Sequence, residues 1–102
     1  MTTTRAQAVA TVQLDNDRVT VTEWHFEPDA ETGWHRHERD YVVVPMKSGR
    51  LCLEIPDGSS VASELTAGHS YFRRAGVEHN VVNASGQAFS FVEIELKSEI
   101  PS

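Results

Sequence analysis

Apolar and polar residues alternate along most of this chain, and the alternation comes in short segments. DRVTVTEWHF (17–26) sets β-branched residues against polar or aromatic ones, YVVVPM (41–46) and RLCLEI (50–55) are brief apolar runs, and HSYFRR, HNVVN and AFSFVEIEL extend the pattern to residue 96. A repeat of two places successive side chains on opposite faces of a strand, and no segment carries the repeat of a helix. Between the segments lie EPDAETG, KSG, PDGSS, TAG, RAG and ASGQ, all rich in residues that form turns. Many short strands closely punctuated predict an all-β sandwich or barrel. The expected organisation is one domain over 1–102, with a core at about 18–96 and loose termini at 1–11 and 98–102. The clearest unit is a predicted hairpin from Tyr41 through Lys47-Ser48-Gly49 to Ile55. Pro45 has no N–H for a ladder, so its strand is expected to be bulged there or to lie at an edge.

Composition narrows the partners. With 102 residues the chain can bury roughly two-thirds of its unfolded surface around one core. Its net charge of −6 argues against sequence-independent binding to nucleic acid or an anionic membrane, which both favour a basic face. No apolar run approaches the ~20 residues of a spanning helix, and MTTTRAQAVATVQL has no apolar signal centre. Cys52 is the single cysteine, which excludes an intrachain disulfide and fits a reducing compartment. The expected setting is cytoplasmic and the expected partner a small molecule.

Candidate chemistry concentrates in GWHRHERDYVVV (33–44). On a strand, His35 and His37 project from the same face with Arg36 on the reverse, so two imidazoles converge. The same spacing also occurs in solvated turns, and a metal role needs a third ligand from another strand. His79 offers one, because it opens the strand that follows a Gly76-containing turn.

Taken together, Gly33-x-His35-x-His37 and Gly68-x5-Arg74-x-Gly76-x2-His79-x3-Asn83 resemble the two motifs of the cupin superfamily, in their usual order. The likeness covers about residues 18–96 and is greatest to small bacterial single-domain cupins linked by name to β-alanine degradation. It implies a double-stranded β-helix, a jelly-roll barrel. It also implies one divalent transition metal (Fe, Zn, Ni, Mn or Cu) on His35, His37 and His79, as in the three-histidine cupins that include thiol and diketone dioxygenases. The motif's usual glutamate is missing: Val42 or Tyr41 occupies its place, and Arg74 replaces the usual proline, which puts a cation near the mouth. Loss of an anionic ligand leaves a stronger Lewis acid and favours anionic substrates.

Tyr41, Tyr71 and Glu78 are candidate catalytic proton carriers, and Asp40, Glu78 and Asn83 candidate partners for the imidazole rings. His25 and His69 have no matching motif position and are expected at the rim or surface; Cys52, on the face of Arg50 and Glu54, is expected to be a structural thiol. Two functions fit. One is a metal-dependent enzyme acting on a small organic acid or related metabolite, of dioxygenase, isomerase or lyase type. The other is a non-catalytic small-molecule binding or sensing domain. A homodimer is expected from the strand edges that so short a barrel exposes, either at AFSFVEIEL or at the amino-terminal strand.

Overall fold

The structure is a computed structural model, and it describes residues 5–97. Its strands are β1 (Val9–Asp15), β2 (Val19–Phe26), β3 (His35–Arg36), β4 (Tyr41–Pro45), β5 (Gly49–Glu54), β6 (Ser60–Leu65), β7 (Tyr71–Arg73), β8 (Glu78–Asn83) and β9 (Phe89–Leu96). They form a five-stranded sheet in the order β1-β2-β9-β4-β7 and a four-stranded sheet in the order β3-β8-β5-β6, all strand pairs being antiparallel. This is the double-stranded β-helix, and among the described residues no helix is long and apolar enough to cross a membrane.

Register explains why the interior is polar at one end and apolar at the other. On the larger sheet, paired positions give inward rows: Thr20, Glu95, Tyr41 and Arg73; then Thr22, Glu93, Val43 and Tyr71; then Trp24, Phe91 and Pro45; and last Phe26 with Phe89. On the smaller sheet His35 pairs with His79, followed by Val81 with Leu53 and Val61, then Asn83 with Leu51 and Ser63. Phe26, Phe89 and Leu51 are almost completely buried at the apolar end, and each such side chain contributes about 1.5–3 kcal/mol by leaving water. The sequence at that end is core; at the other it is chemistry.

Three expectations change. The β4–β5 hairpin does not exist: β4 pairs with β9 and β7, β5 with β8 and β6, and the short turn between them carries the chain across from one sheet to the other. That crossing lets Val43 and Leu51 face a common core instead of lying side by side on one sheet. Gly49 makes the crossing possible, because a Cβ there would stand 3.0 Å from Cδ1 of Phe89. Pro45 lies neither at an edge nor in a bulge. It ends β4 beyond the last pair with β7, Val43 with Tyr71, and its carbonyl accepts from Gly68 N at 2.8 Å. The missing N–H points to that same side, where no ladder continues.

The amino-terminal segment is ordered from Arg5, not loose to residue 11. β1 forms a ladder with β2, and Ala8 N donates to Glu31 O at 2.8 Å while Glu31 N donates to Ala6 O at 2.9 Å. Residues 1–4 and 98–102, also expected to be loose, lie outside the described residues.

Candidate metal centre

The three motif histidines meet at one point. His35 and His79 are cross-strand partners on β3 and β8, where side chains on one face stand directly opposite. His37 follows β3 but remains tied to β8's approach, donating its N–H to Val77 O at 2.9 Å and accepting from Gly76 N at 2.7 Å. Gly33, at φ 88°, makes the turn that sets its carbonyl 2.9 Å from His35 Nδ1; a side chain in that left-handed conformation costs about 1–2 kcal/mol. The Nδ1–H of His35 therefore donates to Gly33 O, which leaves Nε2 with its lone pair exposed.

His37 Nε2 lies 3.1 Å from His35 Nε2 and 3.2 Å from His79 Nε2. Ligands ~2.1 Å from one ion stand about 3.0 Å apart at right angles and about 3.4 Å apart in a tetrahedron. The observed separations fall between these values, so the donor set fits a transition metal with further positions open. Burial favours the neutral, ligating form: desolvation, then the neighbouring His35, lowers His37 to about 3 and His79 to about 4.

Around this triad lies a cavity of about 190 Å³. His35, His37, His79, Tyr41, Tyr71, Glu93 and Arg73 line it, and its apolar wall includes Val43, Leu51, Leu53, Val61, Val81 and Phe91. Tyr41 is the inward-facing one of the two residues at the motif-glutamate position: it is buried, and its ring stacks on His37 with centroids 3.9 Å apart. Val42 alternates to the other face. Burial, with Glu93 nearby, pushes the Tyr41 phenol well above its ordinary value, and burial raises Tyr71 as well. Both hydroxyls stay protonated at neutral pH.

Glu78 does not join them. It pairs with Arg36 and is exposed, because it alternates with His79 and must face outward. The carboxyl that does enter the cavity is Glu93 on β9, buried, with Oε1 3.8 Å from His37 Nε2. Burial, then the charge of Glu95, raises it to about 7, while a hydrogen bond from Trp24 acts the other way. With His37 held neutral, this approach is a contact and not an ion pair, and it is too long for a hydrogen bond. A signal for Glu93 existed in the sequence: FSFVEIEL alternates so that Phe89, Phe91 and Glu93 share one face, which puts a charge in phase with core aromatics.

The residues expected to orient the rings do other work. Asp40 accepts from Ala75 N at 2.7 Å and pins the turn before β8. Asn83 is fully buried but bonds the loops at the opposite end, through Glu27 O, Gln87 O and Ser85. Asn80 is the amide that reaches the histidine loop, accepting from Gly33 N at 2.9 Å while its NH2 bonds Glu31 and Glu54. Arg74 is exposed and off the cavity wall; the cation that lines it is Arg73, since β7 alternates Tyr71 and Arg73 inward. His25 and His69 are exposed, and Cys52 is half-buried on the outer face opposite Val82 and Ala62.

Comparison with known proteins agrees with this arrangement. The Cupin domain family profile matches residues 22–95. The beta-alanine degradation protein BauB of Pseudomonas aeruginosa is 61% identical over 93 residues, spanning 91% of this chain and 97% of that protein. The crystal structure of a cupin domain from Bordetella pertussis, also 61% identical, superposes with a TM-score of 0.91 over 95% of this chain and all of that one. The polyketide cyclase RemF of Streptomyces resistomycificus shares the fold at 23% identity and a TM-score of 0.69, over 95% of this chain and 72% of its own. Motif order, barrel topology and these matches lead to one conclusion: the chain is a small bacterial cupin, related to BauB.

Proposed function

We propose that this cupin is a metal-dependent enzyme acting on a small organic acid or related metabolite, with one divalent transition metal held by His35, His37 and His79. The observation that carries the reading is the convergence of three histidine Nε2 atoms, 3.1 and 3.2 Å apart, on the wall of a largely apolar cavity. Such a cluster has no packing value of its own, since ring nitrogens facing one another, two of them on buried histidines, are unfavourable without a cation. A bound metal supplies Lewis acidity toward an anionic oxygen or sulfur of the substrate. The chain's own residues supply the rest: Tyr41 and Tyr71 present protonated hydroxyls, Glu93 holds or releases a proton near neutrality, and the Leu, Val and Phe wall excludes water. Reaction types in keeping with this set are dioxygenase, isomerase and lyase. The name of the Pseudomonas relative supports a place in small-metabolite breakdown.

The test is a screen of small acids by NMR with Fe(II)-, Mn-, Ni- and Zn-loaded protein, with and without oxygen, beside His35→Ala. Metal-dependent turnover lost in the variant is the expected result. A site that binds metal and ligand but turns over nothing would favour the sensing module, a reading supported by the absence of a motif carboxylate at Tyr41 and Val42.

A homodimer and a cytoplasmic location belong to the same proposal. β1 is exposed along its whole length, presents Val9, Val12 and Leu14 to solvent, and among the described residues pairs on one side only, with β2; such an edge is suited to a second copy. Size-exclusion chromatography with light scattering should give twice the chain mass at micromolar concentration, and a monomer would contradict the dimer.

A further inference from the structure

The cavity is electrically divided. Glu95, Tyr41 and Arg73 form one inward row across β9, β4 and β7, with Glu93 in the next row beside Glu95. Tyr41 therefore separates an acidic half, toward β9, from a basic half, toward β7. Arg73 is the only Lys or Arg lining the cavity among the described residues, and no carboxylate among them pairs with it. Arg5 and Arg50, by contrast, are engaged by Glu31, Glu54 and Glu64.

Arg73 is also held in place. Its guanidinium sits 4.5 Å from the centroid of the Tyr71 ring, and Nη1 donates to Phe72 O at 3.0 Å. Stacking on an aromatic face and one backbone bond leave the other N–H groups of a planar fork unused. That fork matches a carboxylate, which it binds through two parallel hydrogen bonds. Its charge already reaches His79 and Tyr41, where it opposes protonation of the one and favours ionisation of the other.

A cavity of about 150 Å³ lined by aliphatic and aromatic side chains holds benzene, so one of about 190 Å³ takes roughly six to eight non-hydrogen atoms by the same measure. Away from the histidines the wall is Leu51, Leu53, Val61, Val81 and Phe91, with no charged group.

We infer that Arg73 is the specificity residue of this site, binding the carboxylate of a short monocarboxylic acid whose alkyl part lies against Leu51, Leu53 and Phe91. The inference deepens the proposed function and rests on it for the role of the metal, though not for the anion contact. The carboxyl side of the cavity, at Glu93, lies across Tyr41 from Arg73, so the head group is drawn toward β7. Longer acids exceed the space, and neutral amides of the same shape lack the charge that the fork recognises.

The test is calorimetric titration of butanoate, butanamide and octanoate into Zn-loaded and metal-free protein, for the wild type, Arg73→Gln and Arg73→Lys, with metal equivalents measured on each sample. Butanoate should bind the wild type, and Arg73→Gln should weaken it about ten- to hundredfold, the range for a lost hydrogen bond to a charged group. Arg73→Lys should recover part of the loss, butanamide should bind the wild type at least about tenfold less tightly, and octanoate should bind more weakly than butanoate. Arg73 is exposed, so the fold of both variants, checked by circular dichroism, should be intact. Equal butanoate affinity in wild type and Arg73→Gln, equal affinity for acid and amide, or no butanoate binding would each overturn the inference. Metal uptake with Arg73-independent binding would leave the metal site standing without it; Arg73-dependent binding to protein that takes up no metal would leave the inference standing without the enzyme reading.

Discussion

Asn83→Ala separates what holds the end of the barrel away from the histidines from what positions the histidines themselves. The Asn83 side chain donates to Glu27 O at 3.2 Å and Gln87 O at 2.7 Å, and accepts from Ser85 N at 3.0 Å and Ser85 Oγ at 2.7 Å. It is fully buried, so water does not compete for these bonds. Each is worth about 0.5–1.5 kcal/mol net. Two of the losses are softened: Glu27 O still accepts from Ala30 N, and the Ser85 hydroxyl, released from Asn83, turns its one proton to Gln87 O, 2.9 Å away. Ser85 N, however, loses its acceptor. The sum is a loss of about 3 kcal/mol, which in a domain of this size lowers Tm by roughly 12–24 °C. The assay is urea and thermal denaturation of metal-free protein, with metal affinity measured separately below the transition. Metal affinity should stay within about threefold of wild type, since Asn83 touches none of the histidines. A loss below about 1 kcal/mol would refute the claim that the amide clamps these loops, and a collapse of metal affinity in folded variant would show that it orients the rings after all.

Acid should destabilise the metal-free protein. His37 and His79, at about 3 and about 4, lie below the 6.5 of the unfolded chain, so their contribution is complete above pH 6.5 and is lost as pH falls through the folded values. Glu93, raised from 4.5 to about 7, has the opposite sign and loses stability as pH rises through that window. Two histidines outweigh one carboxyl, so the urea midpoint should be lower at pH 5 than at pH 6.5, with a steeper dependence in Glu93→Gln; a midpoint that rises on acidification would contradict this. Gly49→Ala should cost about 1–3 kcal/mol by overpacking, because its Cβ would meet Phe89 Cδ1 at 3.0 Å and Ser85 Cβ at 3.1 Å. Thermal denaturation checks it, and an unchanged Tm would mean that the sheet crossing is looser than described.

The convergence of the three histidines is legible in the sequence because each depends on a local relation: i and i+2 on a strand for His35 and His37, and the start of a return strand for His79. Partners set by sheet order were not. Turn chemistry at Lys47-Ser48-Gly49 is compatible with a hairpin, and only the shared burial of Val43 and Leu51 decides that the chain crosses between sheets. Asn83 and Asn80 lie three residues apart on β8; the first serves the closed end and the second the histidine loop. Nothing in residue type separates them. Glu93 and Arg73 enter the cavity through strand alternation, a pattern present in the sequence but informative only once the inward phase of β9 and β7 is known. Glu78, expected as a proton carrier, is next to His79 in sequence and points away from it in space.

The central claim, a single metal on three histidines, is most directly tested by native mass spectrometry of protein purified without chelator or nickel resin, for the wild type and for His79→Ala with its fold verified by circular dichroism. Close to one equivalent of one transition metal per wild-type chain, and none in the variant, is the expected result. Wild-type protein that carries no metal and takes up none from Fe(II), Mn, Ni or Zn, or a variant that retains the same equivalent, would contradict it.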